Sequence, residues 1–260
     1  PHGFVRVVAS ALRRLGTHRA GEHWLDVARE VHPPAAVEGA KAVIRVLGIF
    51  AAVTVFWALF DQTGSSWVIQ AEKMDLQLGG WGLAPAQLQA LNPLLVMVLV
   101  PLLTVAVFPR LERRGRLVTP LAKMRVGMVA TVLAFASAAA LQLVIDAGRA
   151  PSVLWQLPQY LLLTVGQVLV SVIGLEFSYT QAPRSMRSAI MSIWFLTVVL
   201  GNLLTLSVLS LLELGDAGLL WFFAALMLAA TLAFGVVERR FLAARQPRGA
   251  ASPPVVGRQV

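Results

Sequence analysis

The 260-residue sequence contains no cysteine and few charged residues, since only 13% of its residues are Asp, Glu, Lys or Arg. That is about half the share usual in soluble domains. The lack of cysteine excludes disulfide bonds and thiolate metal ligands. The sequence also lacks H-E-x-x-H, G-x-S-x-G and glycine-rich phosphate loops, and none of its four His falls in a hydrophobic stretch. These absences argue against an enzyme and predict no bound cofactor.

Hydrophobic residues, by contrast, make up 57% of the chain. Six windows reach or approach the ~20 apolar residues that cross the hydrocarbon of a bilayer. We therefore predict an all-α membrane protein with a six-helix bundle over residues 43–237, preceded by a linker at 1–42 and followed by a disordered tail at 238–260. The predicted spans are residues 43–69, 88–109, 121–144, 155–177, 188–211 and 217–237.

The positive charges alternate between the two sides of these windows. Of 22 Lys and Arg residues, all but Lys73 and Arg149 lie before or at the start of the first window, after the sixth, in the second or fourth connection, or at the start of the third window. This pattern follows the positive-inside rule and places both ends of the chain in the cytoplasm. The net charge of +9 is thus explained by membrane topology, and we predict no nucleic-acid partner.

An acid in the first window is the strongest sign of function. Asp61 lies 16 residues beyond Arg45, about 24 Å along an α-helix, and is therefore well inside the bilayer. Helical spacing aligns it with Thr54 and Ser65, with Trp57 beside them. An intramembrane acid faces a protein interior or a cavity, and burial favours its protonated form. No Lys or Arg occupies the middle of any window, so we expect Asp61 to bind a proton, a ligand or a cation from elsewhere.

The second window opens with Asn92 and contains Pro101. Asn92 can line a cavity mouth or cap a helix beside a proline, and both interpretations stay open. Pro101 lacks an N–H group and is predicted to kink the helix.

The fourth and fifth windows carry further polar and aromatic candidates. Gln167 and Ser171 share one helical face, which must meet protein or water, although helix packing alone could account for Ser171. Glu176 is eight residues from Arg184, where a local ion pair is the simpler alternative. Trp194 is a candidate for either packing or substrate contact.

Several stretches closely resemble the C-terminal half of the proton-dependent oligopeptide transporter family, a major-facilitator family. The resemblance covers about residues 22–237. It rests on "VFWALFDQTGSSWVIQAEKM", "LNPLLVMVLVPLL", "LTVVLGN" and above all "GLEFSYTQAPRSMRS". It implies that the six helices form two inverted three-helix repeats, and that a six-helix half of the same polypeptide precedes them.

The resemblance also implies roles for individual residues. Trp57 and Asp61 match cavity positions of the family's seventh helix, where the acid takes part in proton coupling. Asn92 matches a residue that hydrogen-bonds the peptide backbone, and Trp194 matches one that lines a side-chain pocket. Arg45 matches an Arg that pairs with an Asp of the eighth helix.

Two positions depart from the family pattern. Thr104 replaces the eighth-helix Asp, so the usual ion pair with Arg45 cannot form, and we group Arg45 with Glu176 as gating candidates. Gln167 replaces a Glu that binds the α-amino group of the peptide. A Gln can accept a hydrogen bond but supplies neither charge nor a proton. We assign Gln167 and Ser171 to substrate binding.

The resemblance thus implies proton-coupled symport of di- and tripeptides by alternating access in the cytoplasmic membrane, with the proton as coupling ion. Two alternatives stay open. One is a related transporter of another small solute, such as an amino acid or nitrate. The other is a non-transporting, receptor-like membrane subunit.

Overall fold

The structure, a computed structural model, describes residues 3–14, 23–115, 119–181 and 184–243. Six helical segments within it are long and apolar enough to cross a membrane, and we number them spans 1 to 6. They are Pro34–Glu72, Pro85–Arg113, Pro120–Asp146, Val153–Gln181, Arg184–Leu211 and Asp216–Leu242. The predicted six-helix architecture is confirmed, with each span longer than its hydrophobic window: by twelve residues for span 1 and by three to seven for the others. The sixth helix continues to Ala243, and the remainder of the predicted tail, 244–260, lies outside the described residues.

Short 3₁₀ and π segments interrupt or flank the α-helices. The α-helices are Phe4–Arg13, Pro34–Phe60, Ser66–Glu72, Leu91–Pro101, Phe108–Arg113, Pro120–Asp146, Leu157–Gln167, Ile173–Gln181, Arg187–Leu211 and Asp216–Ala243. The 3₁₀ segments are Trp24–Glu30, Asp61–Gly64, Pro85–Ala90, Val153–Gln156 and Arg184–Met186. The π segments are Leu102–Val107 and Val168–Val172, and a hairpin of strands Gln77–Leu78 and Trp81–Gly82 joins spans 1 and 2.

The linker before span 1 is held by an ionic cluster, which we call the linker latch: Asp26, Arg29, Glu38 and Lys41. The Lys41 ammonium lies 2.7 Å from Asp26 Oδ1 and 2.9 Å from Glu38 Oε1, and Arg29 lies 2.7 Å from Glu38. Since Asp26 and Arg29 belong to the 3₁₀ segment and Glu38 and Lys41 to span 1, the latch fixes the linker to the first turns of that span.

Close helix pairs build the bundle. At Gly166 of span 4 an added Cβ would lie 2.3 Å from Thr131 Oγ1 and 2.9 Å from the Gly127 carbonyl, so the backbones of spans 3 and 4 are in contact. Small residues permit such approaches between membrane helices, where van der Waals packing drives association. At the opposite edge, Arg125 near the start of span 3 pairs with Glu238 near the end of span 6.

Two wide π turns disturb spans 2 and 4. The first, Leu102–Val107, follows Pro101, whose missing N–H leaves an α-helical hydrogen bond unmade. The predicted irregularity at Pro101 is thus present as a π segment. The second, Val168–Val172, begins directly after Gln167 and contains no proline. Single π turns inside α-helices occur frequently at functional sites.

Four buried glutamines connect spans 1, 3 and 4, and we call them the glutamine cluster: Gln70, Gln142, Gln156 and Gln159. Gln70 donates to the Ala138 carbonyl at 2.9 Å and to Gln142 Oε1 at 3.0 Å. Its own Oε1 accepts from Gln156 at 3.2 Å and from Gln159 at 3.1 Å. All donors and lone pairs of the Gln70 amide are thereby used, as burial in a membrane protein requires.

Candidate functional site

Span 2 and span 4 meet through an amide pair. Asn92 Nδ2 donates to Gln167 Oε1 at 2.8 Å and to Thr164 Oγ1 at 3.1 Å. The Thr164 hydroxyl donates its own proton to the Tyr160 carbonyl at 2.7 Å, so it can only accept from Asn92. This requirement fixes the Asn92 amino group toward Thr164 and the Gln167 oxygen toward Asn92. The structure therefore brings together two of the predicted substrate-binding residues.

The amide pair leaves one acceptor and one donor available. Asn92 Oδ1 and Gln167 Nε2 take part in no hydrogen bond within the described residues, and both side chains are partly exposed. An adjacent carbonyl oxygen and amino group are the partners that a peptide N–H and C=O require. Ser171, also partly exposed, lies in the π segment that begins after Gln167.

Asp61 lies at a break in span 1. The α-helix ends at Phe60 and a 3₁₀ turn runs from Asp61 to Gly64, so the α-helical spacing that aligned Thr54 with Ser65 in the sequence does not continue past Asp61. That predicted stripe is wrong beyond this residue, because 3₁₀ geometry turns by three residues instead of 3.6. Asp61 Oδ2 is buried and has no hydrogen-bond partner among the described residues.

Trp57 is one helical turn before Asp61, and its indole N–H is also buried without a partner among the described residues. Its ring packs edge-on against Phe56 and Phe60, each at 5.6 Å between centroids. The aromatic contacts fix the indole. One donor and one acceptor on successive turns of span 1 are therefore available to groups outside the described residues.

Span 5 approaches span 1 closely beside this acid. An added Cβ at Gly201 would lie 2.9 Å from the backbone of Thr54 and Ala58, and Thr205 Oγ1 donates to the Ala58 carbonyl at 3.1 Å. The approach brings the Asn202 side chain of span 5 beside the Asp61 carboxyl group. Sequence reasoning did not single out Asn202, although a polar residue inside an apolar span was the available signal.

Trp194, a predicted substrate contact, is only 3% exposed. Its ring meets Phe50 of span 1 edge-on at 5.6 Å and lies over Gly174 of span 4, where an added Cβ would be 3.1 Å from the indole. In this structure Trp194 fills the junction of spans 1, 4 and 5, apart from the Asn92 amide.

The predicted gating residues lie at the end of the bundle where spans 1, 3 and 5 begin, which we call the basic end. Arg45 is exposed, and within the described residues it forms no ion pair and donates only to the Lys41 carbonyl at 3.4 Å. Glu176 is exposed and is not paired with Arg184 in the part of the chain that the structure describes. Glu176 and Thr104 line a cavity of about 540 Å³ between spans 2, 3 and 4.

The site can therefore do two kinds of chemistry. The Asp61 carboxyl group of span 1 can take up and release a proton, and the amide pair on spans 2 and 4 can bind a polar, uncharged group. Among the described residues there is no group of three or more His, Asp or Glu placed to hold a metal ion.

Comparison with known proteins identifies this arrangement. The family model described as the POT family (PTR2) matches residues 6–221. Solute carrier family 15 member 2 from Oryctolagus cuniculus is 41% identical over 155 residues, covering 59% of this chain and 21% of the relative. Peptide transporter 3 from Caenorhabditis elegans is 38% identical over 146 residues, covering 55% of this chain and 21% of the relative. The chain thus spans about a fifth of the curated relatives that it matches.

Solved structures agree in fold. The crystal structure of the POT family transporter PepTSo superposes with a TM-score of 0.84 at 35% identity, covering 94% of this chain and 59% of that one. The match covers nearly the whole six-helix bundle. The resemblance first seen around "GLEFSYTQAPRSMRS" is thereby confirmed. The six-helix bundle, its sequence motifs and both comparisons lead to one conclusion: the chain belongs to the POT family.

Proposed function

We propose that this chain forms the C-terminal six-helix half of a transporter that moves di- and tripeptides together with protons by alternating access. Membership of the POT family and the relatives named as peptide transporters support this proposal. The observation that carries it is the Asn92–Gln167 pair, whose free acceptor and donor suit the backbone of a short peptide.

Asp61 is the proposed proton-binding residue. It is the acid beside the break in span 1, and its buried Oδ2 has no partner among the described residues. A buried carboxylate is costly unless it is paired, whereas the protonated acid removes the charge. Asn202 can hydrogen-bond either form, because its amide both donates and accepts.

Gln167 leaves recognition of the peptide amino terminus without an ion pair. A Gln oxygen can accept a hydrogen bond from the α-ammonium group but supplies no opposite charge. Trp57, Ser171 and Trp194 are retained as proposed substrate residues. For Trp194 this would require a movement that exposes its ring.

The proposed partner is a second six-helix half of the same polypeptide. Only 6% of the most apolar window of span 2 and 22% of that of span 5 are buried, against 50% for spans 1, 3 and 4. Large side chains lie exposed on both poorly buried spans, among them Met97, Val105, Phe195 and Leu206. We propose that these spans contact the other half or lipid. We also propose that the protein lies in the inner membrane, with both ends of the chain and the basic end of the bundle facing the cytoplasm.

A related transporter of an amino acid or nitrate is the second candidate, and Gln167 is the observation that favours it. The neutral amide has no negative charge that would favour a substrate with a free amino group. The first experiment distinguishes the two. Full-length protein in proteoliposomes is given an inward proton gradient and labelled dialanine, with unlabelled dipeptides, single amino acids and nitrate as competitors.

We expect accumulation of dialanine that collapses with a protonophore and is inhibited only by di- and tripeptides. Inhibition by amino acids or nitrate alone would favour the second candidate. A protein that transports none of these solutes, with or without the gradient, would contradict both and favour a receptor-like subunit.

A further inference from the structure

Spans 3 and 6 line an open groove of about 680 Å³ on the surface of the bundle. Its walls are apolar and belong to both helices, with Val126 and Val129 on span 3 and Leu228 and Leu232 on span 6. Its floor includes Gly235, where an added Cβ would meet nothing within 4 Å. The groove is therefore a real depression in the bundle, shaped by both helices and by the missing side chain of one glycine.

The groove has the length of one bilayer leaflet. Leu228 and Arg239, which line its two ends on span 6, are eleven residues apart, about 16 Å at the α-helical rise. Half of a hydrocarbon core of about 30 Å is about 15 Å. An acyl chain lying in the groove would thus extend from the bilayer midplane to the basic end of the bundle.

Two arginines line the groove at that end. Arg125 Nε lies 3.3 Å from Glu238 Oε2, and this carboxylate is nearly buried, which leaves the terminal nitrogens of Arg125 for another acceptor. Arg239 is exposed and forms no ion pair within the described residues. Two guanidinium groups against one carboxylate leave a net positive charge, and a guanidinium binds phosphate oxygens in a bidentate manner.

The groove does not belong to the candidate site. Trp57, Asp61, Asn92 and Gln167 lie on spans 1, 2 and 4, whereas the groove is formed by spans 3 and 6 alone. Its one hydroxyl, that of Thr231, donates to the Met227 carbonyl at 2.7 Å and offers no free donor. Apart from the two arginines at the basic end, the lining offers no available polar group, which suits hydrocarbon and not a solute path.

We propose that this groove binds one anionic phospholipid, with an acyl chain along the valines and leucines and the phosphate between Arg125 and Arg239. Basic pockets between membrane helices bind anionic head groups, and the leaflet at the basic end is the one that the positive-inside rule assigns to the cytoplasm. The proposal is independent of which solute the protein transports.

Photo-crosslinking of the full-length protein tests the site. The protein is placed in phosphatidylcholine nanodiscs that contain a few per cent of phosphatidylglycerol with a diazirine on its acyl chain, and labelled peptides are mapped by mass spectrometry. We expect label on spans 3 and 6 near Val129 and Leu232. Unlabelled phosphatidylglycerol should displace it, while excess phosphatidylcholine and inorganic phosphate should not.

Two substitutions separate the head group from the groove. Arg239→Gln should lower labelling about fivefold, the effect of one basic residue near an anionic surface. Gly235→Leu should abolish it, because the new side chain fills open space. Arg240→Gln, the neighbouring exposed arginine that does not line the groove, is the matched control and should change labelling little.

Arg125 is left intact in these tests, since its removal would strand the buried Glu238. Thermal unfolding of each variant checks that it folds. Equal labelling of the native and Gly235→Leu proteins would overturn the proposal. Displacement by inorganic phosphate, or equal competition by phosphatidylcholine, would also overturn it, showing a free-anion site or an unselective apolar surface.

Discussion

At the residue scale, neutral amides and one acid carry the proposed transport chemistry. Asn92 and Gln167 are held in one orientation because Thr164 has already given its proton to the Tyr160 carbonyl. Asp61 keeps one carboxylate oxygen without a partner among the described residues. The proposed substrate contact and the proposed proton binding thus lie on different pairs of spans, and substitutions can separate them.

Asp61→Asn should abolish proton-driven accumulation of dialanine while leaving counterflow exchange partly intact. The reason is that Asn keeps the shape and hydrogen-bonding capacity of the acid but cannot bind a proton at any physiological pH. Both activities are measured in the same proteoliposomes. Glu72→Gln, at the exposed C-terminal end of span 1, is the control and should preserve accumulation. Equal loss of both activities in Asp61→Asn would show a structural or substrate-binding role instead.

Gln167→Glu should bind peptides with a free amino terminus about fivefold more tightly, because the carboxylate adds an ion pair with the α-ammonium group, which contributes up to about 1 kcal/mol at a partly exposed site. Binding of dialanine and its N-acetylated form is compared by competition for transport. The acetylated peptide should gain nothing, since it carries no positive charge. Unchanged affinity for both peptides would remove residue 167 from the site.

Sequence reasoning found these residues by their type, but not their partners. An acid or an amide in an apolar window can be recognised from the sequence alone, and Asp61, Asn92 and Gln167 were identified in this way. Asn202 was missed, because its contact with Asp61 depends on how closely Gly201 lets span 5 approach span 1. Such an approach is a property of two helices together.

At the element scale, the contact between spans 1 and 5 depends on a single missing methyl group. Gly201→Ala should lower stability by about 1–3 kcal/mol, the usual cost of overpacking, because the new Cβ would lie 2.9 Å from rigid backbone atoms. Thermal unfolding in detergent measures the effect.

Gly218→Ala of span 6 is the matched control, since its nearest neighbours, both in the Leu214 side chain, are at 3.7 and 3.9 Å. This variant should unfold at or above the native temperature, as Ala favours a helix. A Gly201→Ala protein as stable as the native one would show that span 5 is free to shift away from span 1.

The spans themselves were predictable, whereas their irregular turns were not. Hydropathy found six segments because about 20 apolar residues must cross the hydrocarbon. Pro101 predicted an irregularity in the helix of span 2 because it lacks an N–H group. Neither the π turn after Gln167 nor the 3₁₀ turn at Asp61 contains a proline that would predict it. Those turns reflect the packing of neighbouring helices, and a window of sequence contains no information about that packing.

At the scale of the whole molecule, the linker latch joins the segment before span 1 to the bundle and should be sensitive to acid. The Lys41 ammonium, which hydrogen-bonds the carboxylate, holds the pKa of Asp26 below its usual range. A lowered pKa in the folded state means that this contribution is complete above the unfolded pKa of about 3.9 and is lost as the pH falls further.

Hydrogen exchange of the Trp24–Glu30 segment, corrected for intrinsic rates, should therefore show less protection near pH 3 than at pH 5. Asp26→Asn should give the reduced protection at every pH. Glu213→Gln, an exposed acid beyond span 5, serves as control and should behave as the native protein. Full protection of the native segment at pH 3 would contradict the prediction.

The glutamine cluster has a mechanical consequence for the whole bundle. Two backbone carbonyls, those of Ala138 and Trp67, each accept from a cluster amide, so the amides can be oriented in only one sense. No amide can flip without breaking its neighbours' bonds, and the part of span 1 after Gly64 is thereby clamped to spans 3 and 4. Any swing of the part of span 1 before Asp61 must then be absorbed in the turn Asp61–Gly64. This hinge would contain Asp61, the proposed proton-binding residue, so that protonation there could set the angle of the helix directly.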